Sequence, residues 1–174
     1  MSSQRERVIG VFKLLRPHFL LAYLIIGIGG LFFGIIQFQI LPNILLVVYF
    51  FIPVIIAAIG VHLRNEASDW IAGYDLEHGG MGVIRAGIFS PKSVKIAGII
   101  LIIVAFLIAI FQVQANLTLL FVGIPMAIVI IFANYLGSRK AIIREITIAS
   151  SYWGSFLWIY LSQGWILTYA ILVL

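Results

Sequence analysis

The chain has 174 residues, of which 63% are hydrophobic and 10% charged, against roughly 25% charged in an ordinary globular domain. A water-soluble domain this small could not bury so much apolar surface, which excludes disordered chains, coiled coils and soluble enzymes of ordinary design. Mean hydropathy of +1.18 agrees with an integral membrane protein. The net charge is +5, but the basic residues sit between apolar runs, where membrane topology governs them, so no nucleic-acid partner is expected. Cysteine is absent, which removes disulfides, thiolate metal sites and cysteine nucleophiles.

Residues Gln4 to Leu15 mix Arg and Lys with Val, Ile, Phe and Leu. This pattern predicts an interfacial helix on the cytoplasmic leaflet, so 1–16 reads as an interfacial segment and 17–174 as the transmembrane domain. A secretory signal is not expected, because the first apolar run is long and leads into further ones. Crossing about 30 Å of hydrocarbon takes about 20 helical residues. Five runs approach that length: Phe19 to Ile36, Ile44 to Val61, Ile96 to Phe111, Leu117 to Tyr135 and Ile146 to Leu161. None carries a charge, and none alternates polar with apolar as a barrel strand would. The expected fold is all-α, a polytopic transmembrane helix bundle with five full helices plus a partial sixth. Gly30 and Gly34, with Gly27 a turn earlier, predict close helix packing. Pro53 and Pro125 should kink the second and fourth runs.

The connecting segments differ sharply in charge. Gln37 to Asn43, Gln112 to Asn116 and the break at Ser162 to Gly164 carry none. The N-terminus, the loop after the second run and the loop after the fourth hold all 11 Lys and Arg. Glu6, Glu66, Asp69, Asp75, Glu77 and Glu145 lie on the same side. By the positive-inside rule that side is cytoplasmic, in a multi-pass protein of the cell membrane, and the polar chemistry is expected there.

After the fifth run, Trp165 to Leu174 adds ten apolar residues, about 15 Å of helix or half a bilayer. A helix ending in mid-membrane leaves its last carbonyls without partners. The expectation is a fragment of something longer, the alternative being a re-entrant or partner-covered stub.

The informative stretch runs from Arg64 to Asp75. Asn65 and Asp69 are four apart, so a helix continuing past the apolar run projects both from one face. Glu66 is offset by about 100°. Gly73 can end the helix and let the chain bring Asp75 back toward the same place. One amide and two carboxylates at the mouth of a bundle are hard oxygen ligands that suit Mg²⁺ with a substrate diphosphate. The plainer alternative is a solvated loop, and it stays open on these residues alone. His18 and His62 receive no role.

Asn65-x-x-x-Asp69-x-x-x-x-x-Asp75 resembles the first aspartate-rich motif of the UbiA superfamily of intramembrane prenyltransferases. Gly73 fits the variant in the 1,4-dihydroxy-2-naphthoate prenyltransferases of the menaquinone pathway. Further features follow in the family's order: Arg16-Pro17-His18 before the first helix, Gly79 to Pro91 leading into the third, and Tyr135-x-x-x-Arg139-Lys140 followed by Glu145. The resemblance implies a bundle of about nine helices with a cytoplasmic-side site. It implies Mg-dependent transfer of a polyprenyl group from its diphosphate to an aromatic acceptor. It further implies Mg²⁺ held by Asn65, Asp69 and Asp75, and diphosphate oxygens bound by Tyr135, Arg139 and Lys140, with Arg85 a lesser candidate.

The sequence departs from that pattern in three places. Glu66 stands where the family has Asp, and Arg144 where a Gly is common. No Asp follows Asp75, so the family's second aspartate-rich motif has no counterpart here. The chain alone is therefore expected to be inactive unless a second chain, or another copy of itself, completes it. The alternative function is a non-catalytic membrane protein, a remnant or a subunit packing against other helices. A transporter would carry ionisable residues inside the runs, and a CDP-alcohol phosphotransferase a denser Asp-Gly-Arg helix.

Overall fold

The computed structural model describes residues 3–39, 41, 43–73, 82–136 and 141–173, with side chains described at all of these except 115, 131–136, 141–145 and 163–173. Helix α1 spans Gln4–Leu15. The Ser3 hydroxyl accepts from the Glu6 N–H at 3.2 Å, and the Glu6 carboxylate accepts from the Ser3 N–H at 2.7 Å. This capping box satisfies two backbone donors that a helix start otherwise leaves unpaired. Arg16 ends α1 in the left-handed region, at φ 47°. Pro17 then opens α2 (Pro17–Phe38), at a position where a missing N–H costs nothing.

Helix α3 covers Ile44–Ile71 and starts at Asn43, whose side chain accepts from the Leu45 N–H. Helix α4 covers Pro91–Ala115, with the Ser90 hydroxyl accepting from the Ser93 N–H. A 3-10 turn at Leu117–Leu119 leads into α5 (Leu120–Leu136), and α6 spans Ala141–Val173. Among the described residues, Gln4–Phe38, Ile44–Ile71 and Pro91–Gln114 are long and apolar enough to cross a membrane, and Leu117–Ile130 is a shorter apolar helix. The chain is an all-α transmembrane helix bundle. Its exposed apolar side chains, such as Ile25, Phe32, Ile103 and Phe111, face outward, as a bilayer solvent requires.

Two boundaries differ from the sequence expectation. Gln112 to Asn116 reads as an uncharged loop, yet α4 continues through Ala115. The polar residue that suggests a loop is fully buried and spends its amide inside the bundle. Pro53 has no N–H to give the carbonyl four residues earlier. Gln112 Nε2 donates to that carbonyl, of Tyr49, at 2.7 Å, and Gln112 Oε1 accepts from Trp158 Nε1 at 3.1 Å. The second difference lies at Ser162 to Gly164, which reads as a break before a partial sixth helix. Instead α6 is one helix of 33 residues. The Ser162 hydroxyl donates to the Ile159 carbonyl at 2.6 Å within the helix, so its polarity needs no turn.

Backbone approach holds the bundle together. Helix α3 packs most extensively on α4, and α2 on α6. A Cβ added to Gly98 would lie 2.7 Å from the Gly60 carbonyl oxygen and 2.8 Å from the Arg64 nitrogen. One added to Gly30 would lie 2.5 Å from the Phe156 carbonyl oxygen. Lipid gives helices little hydrophobic reason to associate, so small residues that admit close contact matter more than in water. Gly27, Gly30 and Gly34 are all buried, as the small-residue spacing predicts.

Two apolar clusters lie at different levels of α3. One gathers Val47, Phe50, Phe51, Leu119, Val122 and Ile159. The other gathers Leu14, Leu63, Ala67, Val83, Ile84 and Val94 at the charged end. Between these levels, Pro53, Ala57 and Val61 of α3 line a cavity of about 100 Å³ with Tyr23, Ser151 and Trp158.

Candidate functional site at the charged end of the bundle

Helix α3 does not stop where the apolar run ends at Val61; it continues through Ile71. Asn65 and Asp69 therefore stand one helical turn apart on the same face. Both are partly buried. The helix closes as the glycine suggests: the Ala72 N–H donates to the Ser68 carbonyl, and Gly73 takes φ +79°. The Leu63, Ala67, Val83 and Val94 cluster fastens this end of α3 to α4 and to the 82–89 turn.

Arg85 sits in that turn. Val83 and Ile84 point into the core at 1% and 6% exposure, and Arg85 is left exposed. The turn is closed by Ala86 N–H to the Gly82 carbonyl and Ile88 N–H to the Val83 carbonyl. Helix α1 rests on it, because a Cβ on Gly10 would lie 3.1 to 3.3 Å from Ile88, Phe89 and Val83. Asp75, Arg139 and Lys140 fall outside the described residues, as does the side chain of Tyr135, whose backbone lies in the last turn of α5. Of the residues expected at the site, the structure brings Asn65 and Asp69 to one face.

Glu66 takes a different direction. Its carboxylate Oε2 accepts from Arg16 Nη2 at 2.5 Å, with Glu66 3% and Arg16 23% exposed. The guanidinium also lies 5.8 Å above the Phe19 ring. The left-handed residue between α1 and α2 is thus tied to the motif helix. Glu66 is engaged by Arg16, and Asn65 and Asp69 are partly buried on the same helix end. Nothing in the sequence pairs residues 50 apart.

His62, one turn before Glu66, was also missed. Its ring lies 5.0 Å from Phe19 and 6.4 Å from Tyr23, the latter edge-on. Its Nε2 is buried and has no hydrogen-bond partner among the described residues. Tyr23 in turn meets Tyr152 at 4.9 Å and lines the cavity. Aromatic rings and one histidine therefore form a continuous wall from the Arg16–Glu66 pair to the cavity. The signal in the sequence was a lone histidine just past an apolar run, at helical spacing from Glu66.

Oxygen donors of the Asn65 and Asp69 type fit a hard cation such as Mg²⁺. Among the described residues, no three His, Asp, Glu or Cys side chains stand close enough to form a metal cluster. Comparison with protein-family models, with curated proteins and with solved structures finds no match to this chain.

Proposed function

We propose that this chain is a UbiA-type intramembrane prenyltransferase domain. In this reading it holds a polyprenyl diphosphate at its charged, cytoplasmic face, with the isoprenoid tail in the apolar cavity. The observation that carries the reading is the extension of α3 to Ile71, which lifts Asn65 and Asp69 on one face beyond a cavity lined by the same helix.

Asn65, Asp69 and Asp75 would hold Mg²⁺, which neutralises charge on a departing diphosphate. Tyr135, Arg139 and Lys140 would donate to the diphosphate oxygens, with Arg85 approaching from the 82–89 turn. In the transfer, the allylic C–O bond breaks and its electron pair leaves with the diphosphate. A ring carbon of the aromatic acceptor supplies the electrons of the new C–C bond, and that carbon loses a proton. Cationic side chains stabilise charge developing on the leaving group most strongly where water is scarce. The cavity lining of Pro53, Ala57 and Val61 offers such surroundings.

The test is binding of geranylgeranyl diphosphate to the purified chain in lipid nanodiscs. Binding is expected to require Mg²⁺, to vanish with EDTA, and to weaken by at least about tenfold in Asp69→Asn. Binding indifferent to EDTA and to Asp69→Asn would overturn the reading.

A further inference from the structure

Independently of prenyl transfer, we propose that α1 docks on an acidic phospholipid surface, with an apolar stripe among the acyl chains and basic side chains against anionic headgroups. The residues that α1 buries in the protein are Gly10 and Leu14. Val8, Val11 and Phe12 are left 52%, 45% and 64% exposed, and Leu15 is half-buried. The spacing 8, 11, 12, 15 makes one stripe. At about 100° per residue, that stripe lies roughly 130° around the helix from Gly10 and Leu14. The face that seats on the protein is therefore not the face left apolar.

Charge selects the partner. Arg5 and Arg7 flank the stripe on its two sides, with Lys13 beyond Arg5, and all three are exposed. Glu6, the acidic residue of α1, accepts from the Ser3 N–H in the capping box. The fold gathers further basic residues that the sequence sets far from α1. Gly10 seats against Val83, Ile88 and Phe89, so the exposed Arg85 of that turn and the exposed Lys92 in the first turn of α4 share this end of the bundle. Long basic side chains bordering an apolar stripe can lay their stems along lipid chains and reach phosphates with their heads. A second copy of the chain would instead set like charge against like. Zwitterionic lipid accepts the stripe but offers nothing to the net positive charge, whereas an acidic surface adds roughly fivefold in affinity for each basic residue near it.

The experiment uses the full chain, one copy per nanodisc, with Val11→Cys carrying an environment-sensitive nitrobenzoxadiazole label; the chain has no other cysteine. The discs hold phosphatidylcholine alone or an equal mixture with phosphatidylglycerol. Label emission and its quenching by neutral aqueous acrylamide give the ratio of docked to free helix. The mixed discs are expected to shift emission to the blue and lower the quenching. Molar salt should reverse this, because the Debye length falls from about 10 Å at 0.1 M to about 3 Å at 1 M. Arg5→Gln with Lys13→Gln, both at exposed positions, should lower the docked-to-free ratio by about 25-fold, fivefold for each charge. A label at Leu41→Cys, 84% exposed between α2 and α3, should not respond to phosphatidylglycerol. Equal emission in the two kinds of disc, indifference to salt, a charge-depleted variant that responds as wild type does, or a matching response at Leu41 would each overturn the proposal.

Discussion

Gln112 donates its side-chain amide to the backbone carbonyl of Tyr49 at 2.7 Å across 63 residues of sequence. That carbonyl is the one Pro53 leaves without its helical donor. A proline in a membrane helix is tolerated when a neighbouring helix supplies the missing bond, and here α4 supplies it to α3.

Gln112→Leu should therefore destabilise the bundle by about 1–3 kcal/mol, because a buried carbonyl and the Trp158 N–H both lose their partner. Pro53→Ala restores an N–H to the Tyr49 carbonyl, so Gln112→Leu should cost less in that background. Detergent denaturation of the two single variants and the double variant measures the difference. Strict additivity would show that the two sites are independent.

The Arg16–Glu66 pair makes an asymmetric prediction. Arg16→Ala removes the Arg16 guanidinium from a carboxylate at 3% exposure, and losing one partner of a buried pair costs about 3–5 kcal/mol. Replacing both, as in Arg16→Met with Glu66→Leu, should recover most of the loss. Thermal unfolding in detergent of the single and double variants reads this directly. Glu66→Asp shortens the reach by one methylene and should fall between wild type and Arg16→Ala.

Gly98→Ala tests whether the crossing of α3 and α4 positions the motif. The added methyl meets backbone of Gly60 and Arg64 at 2.7 and 2.8 Å, which no rotamer change relieves. Overpacking of this kind costs about 1–3 kcal/mol. Diphosphate binding should weaken with stability, whereas alanine at Gly82, where nothing stands within 4 Å of an added Cβ, strains only a local turn at φ +72°.

Orientation is checked by labelling. The chain has no cysteine, so single Cys residues at Ser3, Arg85 and Leu41 report alone. All three positions are exposed. A membrane-impermeant maleimide added to intact cells should label the Leu41 variant and spare the other two; the reverse pattern would invert the assignment.

The helices were legible because a charge-free run near bilayer length has few other readings, and because the small-residue spacing of α2 has a single physical use. The extension of α3 was legible from Asn65 and Asp69 at helical spacing. What escaped the sequence were bonds between distant residues. Gln112 looks like a loop residue until the carbonyl freed by Pro53 is placed beside it. Glu66 looks like a motif carboxylate until Arg16 arrives from the α1–α2 junction. Gly60 and Gly98 belong to no recognisable motif, and only their mutual approach reveals why neither carries a side chain. His62 shows no purpose in the sequence, since an Nε2 without a partner among the described residues is a property of three-dimensional surroundings alone.

The glycine crossing has a mechanical consequence. The backbones of α3 and α4 approach so closely at Gly60 and Gly98 that neither position has room for a side chain, and contact this close resists sliding of one helix along the other. The cavity walls outside that crossing belong to α2, α5 and α6, which contribute Tyr23, Met126 and Ser151.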